Sequence, residues 1–201
     1  MSLFARMIAV LTFVGLLSGG FLATVGHLTK DRIALNKQKE IEQAIVSVVP
    51  GTQSSKKIYE EEDLAVYGGK DEHGRLLGFA IQASGIGFQD KIIIMLGINP
   101  AITQINSLAV LEQTETPGLG ARIVDRGSFL QFWENKDCGQ PLSLRKPPAS
   151  SKQDLGPSEI NTITGATISS EAVLNTVNVS LARIKELLKE GKLSSEEGDV
   201  K

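Results

Sequence analysis

Residues 164–189 read TGATISSEAVLNTVNVSLARIKELLK, and this stretch carries the clearest secondary-structure signal in the chain. Aliphatic residues recur within it at steps of three and four, namely Val173, Val177, Leu181, Ile184 and Leu188. That spacing predicts an amphipathic helix with one face in a core. Glu171 falls in its first turn and Lys189 in its last, as the helix dipole favours. The final element of the domain is therefore a packed helix.

Upstream of this helix, short apolar runs predict strands. They cover residues Leu64–Tyr67, Leu76–Ala83, Ile92–Ile98 and Ile105–Gln113. Turn-forming dipeptides separate them, and the first two runs suit a hairpin through the GGKDEHGR segment of residues 68–75. Residues 51–57 are expected to form a loop, residues 84–91 (SGIGFQDK) to bend over one sheet face, and residues 128–135 (SFLQFWEN) to form a short helix. These elements predict an α+β fold, in which a small, mostly antiparallel sheet packs against helices.

The N-terminal region has the pattern of a membrane anchor. Residues 7–29 (MIAVLTFVGLLSGGFLATVGHLT) contain no charged side chain, and as a helix they would rise about 34 Å, enough for a hydrocarbon core of about 30 Å. A cleaved signal peptide has a shorter apolar run and a small-x-small cleavage site. Because this run is long and no convincing site follows it, we expect a retained single-pass helix.

The anchor also has a face of small residues, Gly15, Gly19 and Ala23. Such a face lets another helix approach closely in lipid, but glycine is also common in membrane helices in general. Both interpretations stay open. The expected divisions of the chain are a short N-terminal segment (1–6), the transmembrane helix (7–29), a juxtamembrane helix ended by Pro50-Gly51 (30–50), a globular domain (51–190) and a polar tail (191–201).

Charge alone determines the orientation poorly. Arg6 precedes the apolar run, whereas four basic residues follow it, Lys30, Arg32, Lys37 and Lys39. By the positive-inside rule this distribution favours a cytoplasmic C-terminal side.

Composition excludes several classes of function. The net charge is −2 with both signs interspersed, so no basic surface indicates nucleic-acid binding. Cys138 is the only cysteine, which rules out an intramolecular disulfide and a cluster held by cysteines of this chain alone. His27 and His73 lie far apart, so we expect no metal site. No Ser/His/Asp or Cys/His arrangement indicates a catalytic residue.

Two short motifs are candidates for a binding site. The first, Thr164-Gly165-Ala166-Thr167, leads directly into the final helix. A hydroxyl at a helix start lies where backbone N–H groups point outward and the dipole is positive, which favours a phosphate. The alternative is that Thr164 or Thr167 only caps the helix.

The second motif is TETPGLGARI, residues 114–123. Pro117, Gly118 and Gly120 impose a specific loop, which taken alone is more often a structural turn than a site. Glu115 is either a hydrogen-bonding or electrostatic partner of a ligand, or a solvated loop carboxylate. The charged residues near the motifs, Asp90, Lys91 and Arg122, are expected to be surface groups.

Together, TETPGLGARI and the later TITGATISSEAV resemble the FMN-binding domain family, which includes the G subunit of Rnf complexes and the C subunit of Na⁺-translocating NADH:quinone reductase. The resemblance implies FMN attached covalently to Thr167 through a phosphoester, with Thr164, Gly165 and Ala166 around the phosphate. It implies that loop residues border the flavin ring, namely Glu115, Thr116, Pro117, Gly118, Leu119 and Gly120. Asn161 departs from the family pattern, which usually has an acidic residue six positions before the modified threonine.

The resemblance further implies an electron-transfer subunit that works with other membrane subunits of an Rnf-type complex. That complex couples electron transfer between ferredoxin and NAD to Na⁺ or H⁺ movement, and a flavin-attaching transferase loads the cofactor. It places the N-terminal segment of residues 1–6 in the cytoplasm and the domain on the periplasmic side of the inner membrane, against the charge count. The alternatives are the sister quinone-reductase subunit, which is generally longer, and a non-redox anchored binding module. A freestanding flavin reductase is disfavoured because no nucleotide-binding fingerprint is present.

Overall fold

The computed structural model describes residues 2–193. The chain divides into two units after Ile41. The elements in chain order are α1 (Leu3–Val48), β1 (Ser54–Glu61), β2 (Leu64–Lys70), β3 (Leu76–Ile86), β4 (Lys91–Ile98), β5 (Gln104–Glu112), β6 (Lys136–Asp137), β7 (Ser143–Arg145), β8 (Glu159–Asn161) and α2 (Thr167–Lys189). Three short 3₁₀ helices lie between β5 and β8, at Gly120–Val124, Leu130–Trp133 and Lys152–Asp154.

α1 is one uninterrupted helix from Leu3 to Val48, where the sequence suggested two adjoining helical segments. Its apolar N-terminal half is exposed, and within residues 2–193 it is the one helix long and apolar enough to cross a membrane. The helix ends just before Pro50, and Gly51 follows with φ +89°. Glycine adopts such a left-handed conformation without steric cost, so the chain can turn there into the first strand.

Six strands form an antiparallel meander in sequence order, β1-β2-β3-β4-β5-β6, while β7 and β8 pair in parallel as a separate ribbon. The predicted α+β class is therefore confirmed. The hairpin between β2 and β3 is also present, although Gly68 and Gly69 lie inside β2 and the turn begins after Lys70. Residues 84–86, expected in a bend, continue β3.

The prediction that residues 51–57 form a loop is wrong over its second half, because β1 begins at Ser54. β1 is an edge strand whose side chains are almost all exposed, and Ile58 alone among them is buried. A strand that contributes so little to the core shows no hydrophobic alternation. The predicted helix at 128–135 is a single 3₁₀ turn, which stops before Asn135 at φ +59°.

The core lies between one face of the sheet and α2. The helix contributes Val173, Val177, Leu181 and Ile184, all buried, and the sheet contributes Val66, Ile81, Ile94 and Leu96. The predicted apolar stripe of α2 is thus its packed face, although Leu188 is only half-buried and its neighbour Leu187 is buried in its place. This packing fixes where α2 begins, and with it the position of Thr167. Of the expected polar tail, residues 194–201 lie outside the described residues.

Candidate cofactor-binding site

The loop of residues 113–120 has a defined backbone conformation. The Thr116 carbonyl accepts hydrogen bonds from the N–H groups of Leu119 and Ala121, each at 3.1 Å. Gly118 lies between them with φ +76°. A side chain at this position would be strained, so glycine allows the tight turn. The turn leaves Leu119 exposed at its tip and leads into the 3₁₀ helix that begins at Gly120.

The start of α2 is not capped by a side chain. The N-cap residue is Ala166, with no side-chain hydrogen bond, and Thr167 is the first helical residue. Neither Thr164 nor Thr167 therefore acts as the N-cap that the simpler interpretation requires. Gly165 precedes the helix with φ +82° and brings the chain sharply into it. The Ser170 hydroxyl stabilises this approach by donating to the Ala166 carbonyl at 2.9 Å.

The first turn of α2 consequently presents unused donors. Among the hydrogen bonds within residues 2–193, none uses the backbone N–H of Thr167, Ile168 or Ser169. The Thr167 hydroxyl, on a half-buried side chain, also has no partner there. Free N–H groups and the positive end of the helix dipole together favour an anion at this point. Because the Thr167 hydroxyl lies in the same turn, an anionic group bound there is adjacent to a hydroxyl.

Glu115 connects three segments around this point. Its side chain is 4% exposed. One carboxylate oxygen accepts from the N–H groups of Phe88 at 2.7 Å and Gln89 at 3.1 Å. The other accepts from the Ser169 hydroxyl at 2.6 Å. Glu115 is therefore not the solvated loop carboxylate of the simpler interpretation, since it joins the 113–120 loop to the β3–β4 turn and to the first turn of α2.

Two glycines leave the space that this carboxylate occupies. A Cβ atom added at Gly120 would lie 2.5 Å from Glu115 Oε2 and 2.6 Å from Ser169 Oγ. A Cβ atom at Gly87 would likewise overlap Glu115 Oε1. Real Cβ atoms do not approach this closely, so a side chain at either position would displace the carboxylate. Glycine is therefore needed at position 87 of the β3–β4 turn and at position 120 of the 113–120 loop, because the backbone passes close to Glu115 at both.

A cavity of about 390 Å³ lies between the loop and the helix start. Seven of the ten residues proposed from sequence line it, namely Glu115, Thr116, Leu119, Gly120, Gly165, Ala166 and Thr167. Thr164, Pro117 and Gly118 lie nearby in sequence but outside the cavity wall. Sequence reasoning missed three wall residues, Phe88, Ile168 and Ser169. Ser169 follows Thr167 by two residues, but nothing in the sequence pairs it with Glu115.

The residues present fit FMN. The volume lies in the range of small-molecule sites, about 300–1,000 Å³. Phe88, Leu119 and Ile168 supply exposed apolar side chains for a flat aromatic ring, and the uncapped helix start supplies donors for a phosphate. The Thr167 hydroxyl lies at the same helix start. No group of three or more acidic, histidine or cysteine side chains suited to a metal occurs in residues 2–193.

The charged residues near the motifs face solvent. Asp90, Lys91 and Arg122 are exposed. Lys91 pairs with Asp63 at 2.7 Å. The hydrogen bond to Asp63 raises the pKa of Lys91, and the bond from Lys91 in turn lowers the pKa of Asp63. Lys91 is therefore committed to a surface ion pair.

Asn161, the departure from the family pattern, has a structural role. It is 5% exposed, its side-chain oxygen accepts from the Ala149 N–H at 2.8 Å, and its amide donates to the Ala149 carbonyl at 3.1 Å. A carboxylate could make only the first of these bonds, because it has no donor. The amide thereby holds the 139–157 connection beside β8.

A second cavity, of about 500 Å³, flanks the exposed side of α2. Ile86 from the end of β3 and Val179 from α2 stand on its walls, 86% and 70% exposed. Its charged residues include Glu61 and Arg183, which form an ion pair with each other. Within the described chain, this cavity has neither an uncapped helix start nor a free wall hydroxyl on α2, since Thr176 donates to the Ala172 carbonyl and Ser180 to the Thr176 carbonyl.

Residues 87–182 match the family model described as FMN-binding domain. The match begins at Gly87 in the β3–β4 turn and ends within α2, so it includes every residue of the cavity wall described above.

Two relatives are, by name, parts of ion-translocating oxidoreductase complexes. The G subunit of the ion-translocating oxidoreductase complex of Methanosarcina acetivorans is 23% identical over 86% of this chain and 90% of its own length. The G subunit of the Na⁺-translocating ferredoxin:NAD⁺ oxidoreductase complex of Acetobacterium woodii is 30% identical over 64% of this chain and 59% of its own length.

The fold resembles that of a solved structure. Shewanella oneidensis NqrC superposes with a TM-score of 0.53 at 20% identity, covering 71% of this chain and 74% of that one. At this identity the likeness concerns the fold alone. The resemblance proposed from the two sequence motifs is therefore confirmed both by the family match and by the names of the relatives.

Proposed function

We propose that this chain is the flavin-carrying electron-transfer subunit of an Rnf-type ion-translocating oxidoreductase, with FMN joined through its phosphate to Thr167. The family match of residues 87–182 and the names of the relatives support this assignment. The observation that carries the proposal is the free Thr167 hydroxyl in the uncapped first turn of α2. Bound FMN supplies reversible acceptance of electrons, and the protein supplies position and electrostatics.

The chain's own groups account for binding. The Thr167 oxygen would hold FMN as an ester, whose mass equals threonine plus free FMN less one water. The N–H groups of the first turn of α2 then face the phosphodiester charge, and the helix dipole stabilises it. Phe88, Leu119 and Ile168 offer an apolar wall that keeps water from one side of the ring. Thr167 is thus a tether, without an acid or base role.

The proposed setting is the cytoplasmic membrane, with α1 as a single-pass anchor and the domain on the periplasmic side. The apolar, exposed N-terminal half of α1 and the ion-translocating complexes named for the relatives support an anchor. We propose that the other membrane subunits of such a complex are its partners, that a transferase attaches the flavin, and that the complex couples ferredoxin:NAD electron transfer to Na⁺ or H⁺ movement.

Orientation can be tested with one introduced cysteine. Cys138 is fully buried, so a membrane-impermeant maleimide should label the native chain weakly. A Gln89→Cys variant places a thiol on the exposed β3–β4 turn. Labelling of intact cells with a permeabilised outer layer supports the periplasmic side, whereas labelling only after disruption of the cytoplasmic membrane places the domain inside.

The test of the flavin itself is intact mass together with in-gel fluorescence of denatured protein. The full chain is produced with a flavin-attaching transferase, and Thr167→Ala is compared with Thr176→Ala, which removes a hydroxyl from the second cavity. Wild type and Thr176→Ala should carry the mass of one FMN less one water and fluoresce after denaturation. Thr167→Ala should do neither.

Unmodified mass for wild type would overturn the proposal and leave an anchored module that binds a ligand or partner without redox chemistry. Retention of the added mass by Thr167→Ala would show that the flavin is attached to another residue. The sister assignment, to an Na⁺-translocating NADH:quinone reductase, makes the same mass prediction. Co-purification of the native complex distinguishes the two, because ferredoxin-dependent reduction of NAD⁺ is expected here and quinone reduction in the sister case.

A further inference from the structure

Glu115 is a buried carboxylate without a cationic partner. None of the ion pairs formed within residues 2–193 includes it. Carboxylates are rarely buried unless they are paired or fully hydrogen-bonded, because removing the charge from water is costly. A buried, unpaired carboxylate in the wall of a binding cavity therefore requires an explanation.

All of its hydrogen-bond partners are donors. Two backbone N–H groups, from Phe88 and Gln89, bond one oxygen, and the Ser169 hydroxyl bonds the other. An ionised carboxylate accepts only, so this arrangement suits the charged form. The three donors come from two segments distant in sequence, which fixes the position of the charge relative to the cavity.

The charge lies in the same wall as the proposed attachment point. Glu115, Ser169 and Thr167 all line the cavity of about 390 Å³. A fixed charge in the wall acts strongly on a ligand in the same cavity, because the effective dielectric constant near a protein site is well below that of water. No ion pair formed within the described residues offsets it.

From this geometry we infer that the fixed negative charge of Glu115 lowers the reduction potential of the flavin, an inference that rests on the proposed function. Reduction adds electrons to the flavin ring, and these come from the redox partner. A nearby negative charge makes that addition less favourable. The same carboxylate, by bonding the β3–β4 turn and α2, keeps the cavity wall in place whether or not cofactor is bound.

The test is the midpoint potential of the flavin-loaded full chain, measured by spectroelectrochemistry in Glu115→Gln. The amide keeps the shape and can still accept from Phe88 and Gln89, but it carries no charge. We expect the equilibrium constant for reduction to rise about tenfold, which corresponds to about 30 mV for a two-electron couple. The matched control is Asp90→Asn, which removes an exposed charge from the neighbouring turn and should leave the potential unchanged.

Ser169→Ala distinguishes the effect of the Glu115 charge from the effect of the hydrogen bond that holds it. It removes one donor and keeps the carboxylate, whose charge is then less offset, so the potential should fall below the wild-type value. If Glu115→Gln does not fold, this predicted fall in potential is the test of the inference. A wild-type potential in loaded Glu115→Gln, or an unchanged or raised potential in Ser169→Ala, would overturn the inference. Absence of flavin from wild type would instead overturn the proposed function, and intact mass measured on each sample distinguishes the two failures.

Discussion

Two cavities flank α2, and the larger one has the weaker claim to a cofactor. The cavity beside β3 measures about 500 Å³, and the one at the start of the helix about 390 Å³. The larger has aliphatic walls and charged residues that include the Arg183–Glu61 ion pair. The smaller has free backbone donors, a free hydroxyl and a buried carboxylate. The polar groups available to a ligand, more than the volume, indicate which of the two cavities is a binding site.

Closely packed glycines occur at both cavities, and the groups that they pack against differ. At the helix-start cavity the backbone approaches Glu115 so closely that two positions admit no side chain. In the larger cavity a Cβ atom at Gly85 would overlap Thr176 Oγ1 just as closely, but the Thr176 hydroxyl is bonded within its own helix and not to a buried charge. Variants that disturb only one cavity can therefore break or sharpen the distinction.

The largest effect is expected from Gly120→Ala. Its Cβ atom would overlap both Glu115 and Ser169, and overpacking of this kind costs about 1–3 kcal/mol of stability. Both thermal stability and flavin occupancy should fall, the first followed through the fluorescence of buried Trp133 and the second through intact mass.

Gly127→Ala is the matched control, because the nearest atom to its Cβ would be Asp125 Oδ2 at 3.7 Å, an ordinary contact. It should unfold like the wild type and load flavin fully. Equal stability of the two variants would show that the backbone does not approach Glu115 as closely as the structure indicates.

A smaller and more local effect is expected from Gly165→Ala. Gly165 has φ +82°, and an L-residue in the left-handed region costs about 1–2 kcal/mol. Because the strain lies beside Thr167, the helix start should shift and flavin occupancy should drop severalfold in intact-mass measurements.

Gly74→Ala carries the same kind of strain, with φ +77°, in the β2–β3 hairpin turn. It should lose comparable stability and keep full flavin occupancy. If both variants lost flavin equally, occupancy would depend on global stability and not on the geometry of the helix start.

The sequence predicted the regular, buried elements well, because hydrophobic periodicity reports burial directly. α2 and strands β2 to β5 were found, with errors at their ends. β1 was missed because its side chains are almost all exposed, so its sequence shows no hydrophobic alternation. The 3₁₀ turn Leu130–Trp133 was predicted as a helix over residues 128–135, because the sequence does not show that Glu134 is extended and Asn135 left-handed.

The site was predictable only in its motifs. Glycine, threonine and proline spacing indicated both segments, and the fold brings them together. The bond between Glu115 and Ser169 spans 54 residues, and the Phe88 wall comes from a third segment. Such contacts depend on strand register and helix position, which local patterns do not encode. The two hydrogen bonds between the Asn161 side chain and the Ala149 backbone could not be predicted from the sequence for the same reason.

The smallest effect is expected from Arg183→Gln in the larger cavity. Arg183 donates to Glu61, and this hydrogen bond lowers the pKa of the Glu61 carboxyl. A carboxyl whose pKa is lowered by folding stabilises the protein above its unfolded value, about 4.3, and loses that contribution as the pH falls through the folded value. The melting temperature of wild type should thus slightly exceed that of Arg183→Gln at pH 7, and the difference between the two melting temperatures should disappear in acid.

Flavin occupancy should be equal in wild type and Arg183→Gln, because the ion pair lines the larger cavity and not the one at the helix start. A loss of flavin in Arg183→Gln would show that the two cavities act as one site, since the variant leaves every group around Thr167 in place.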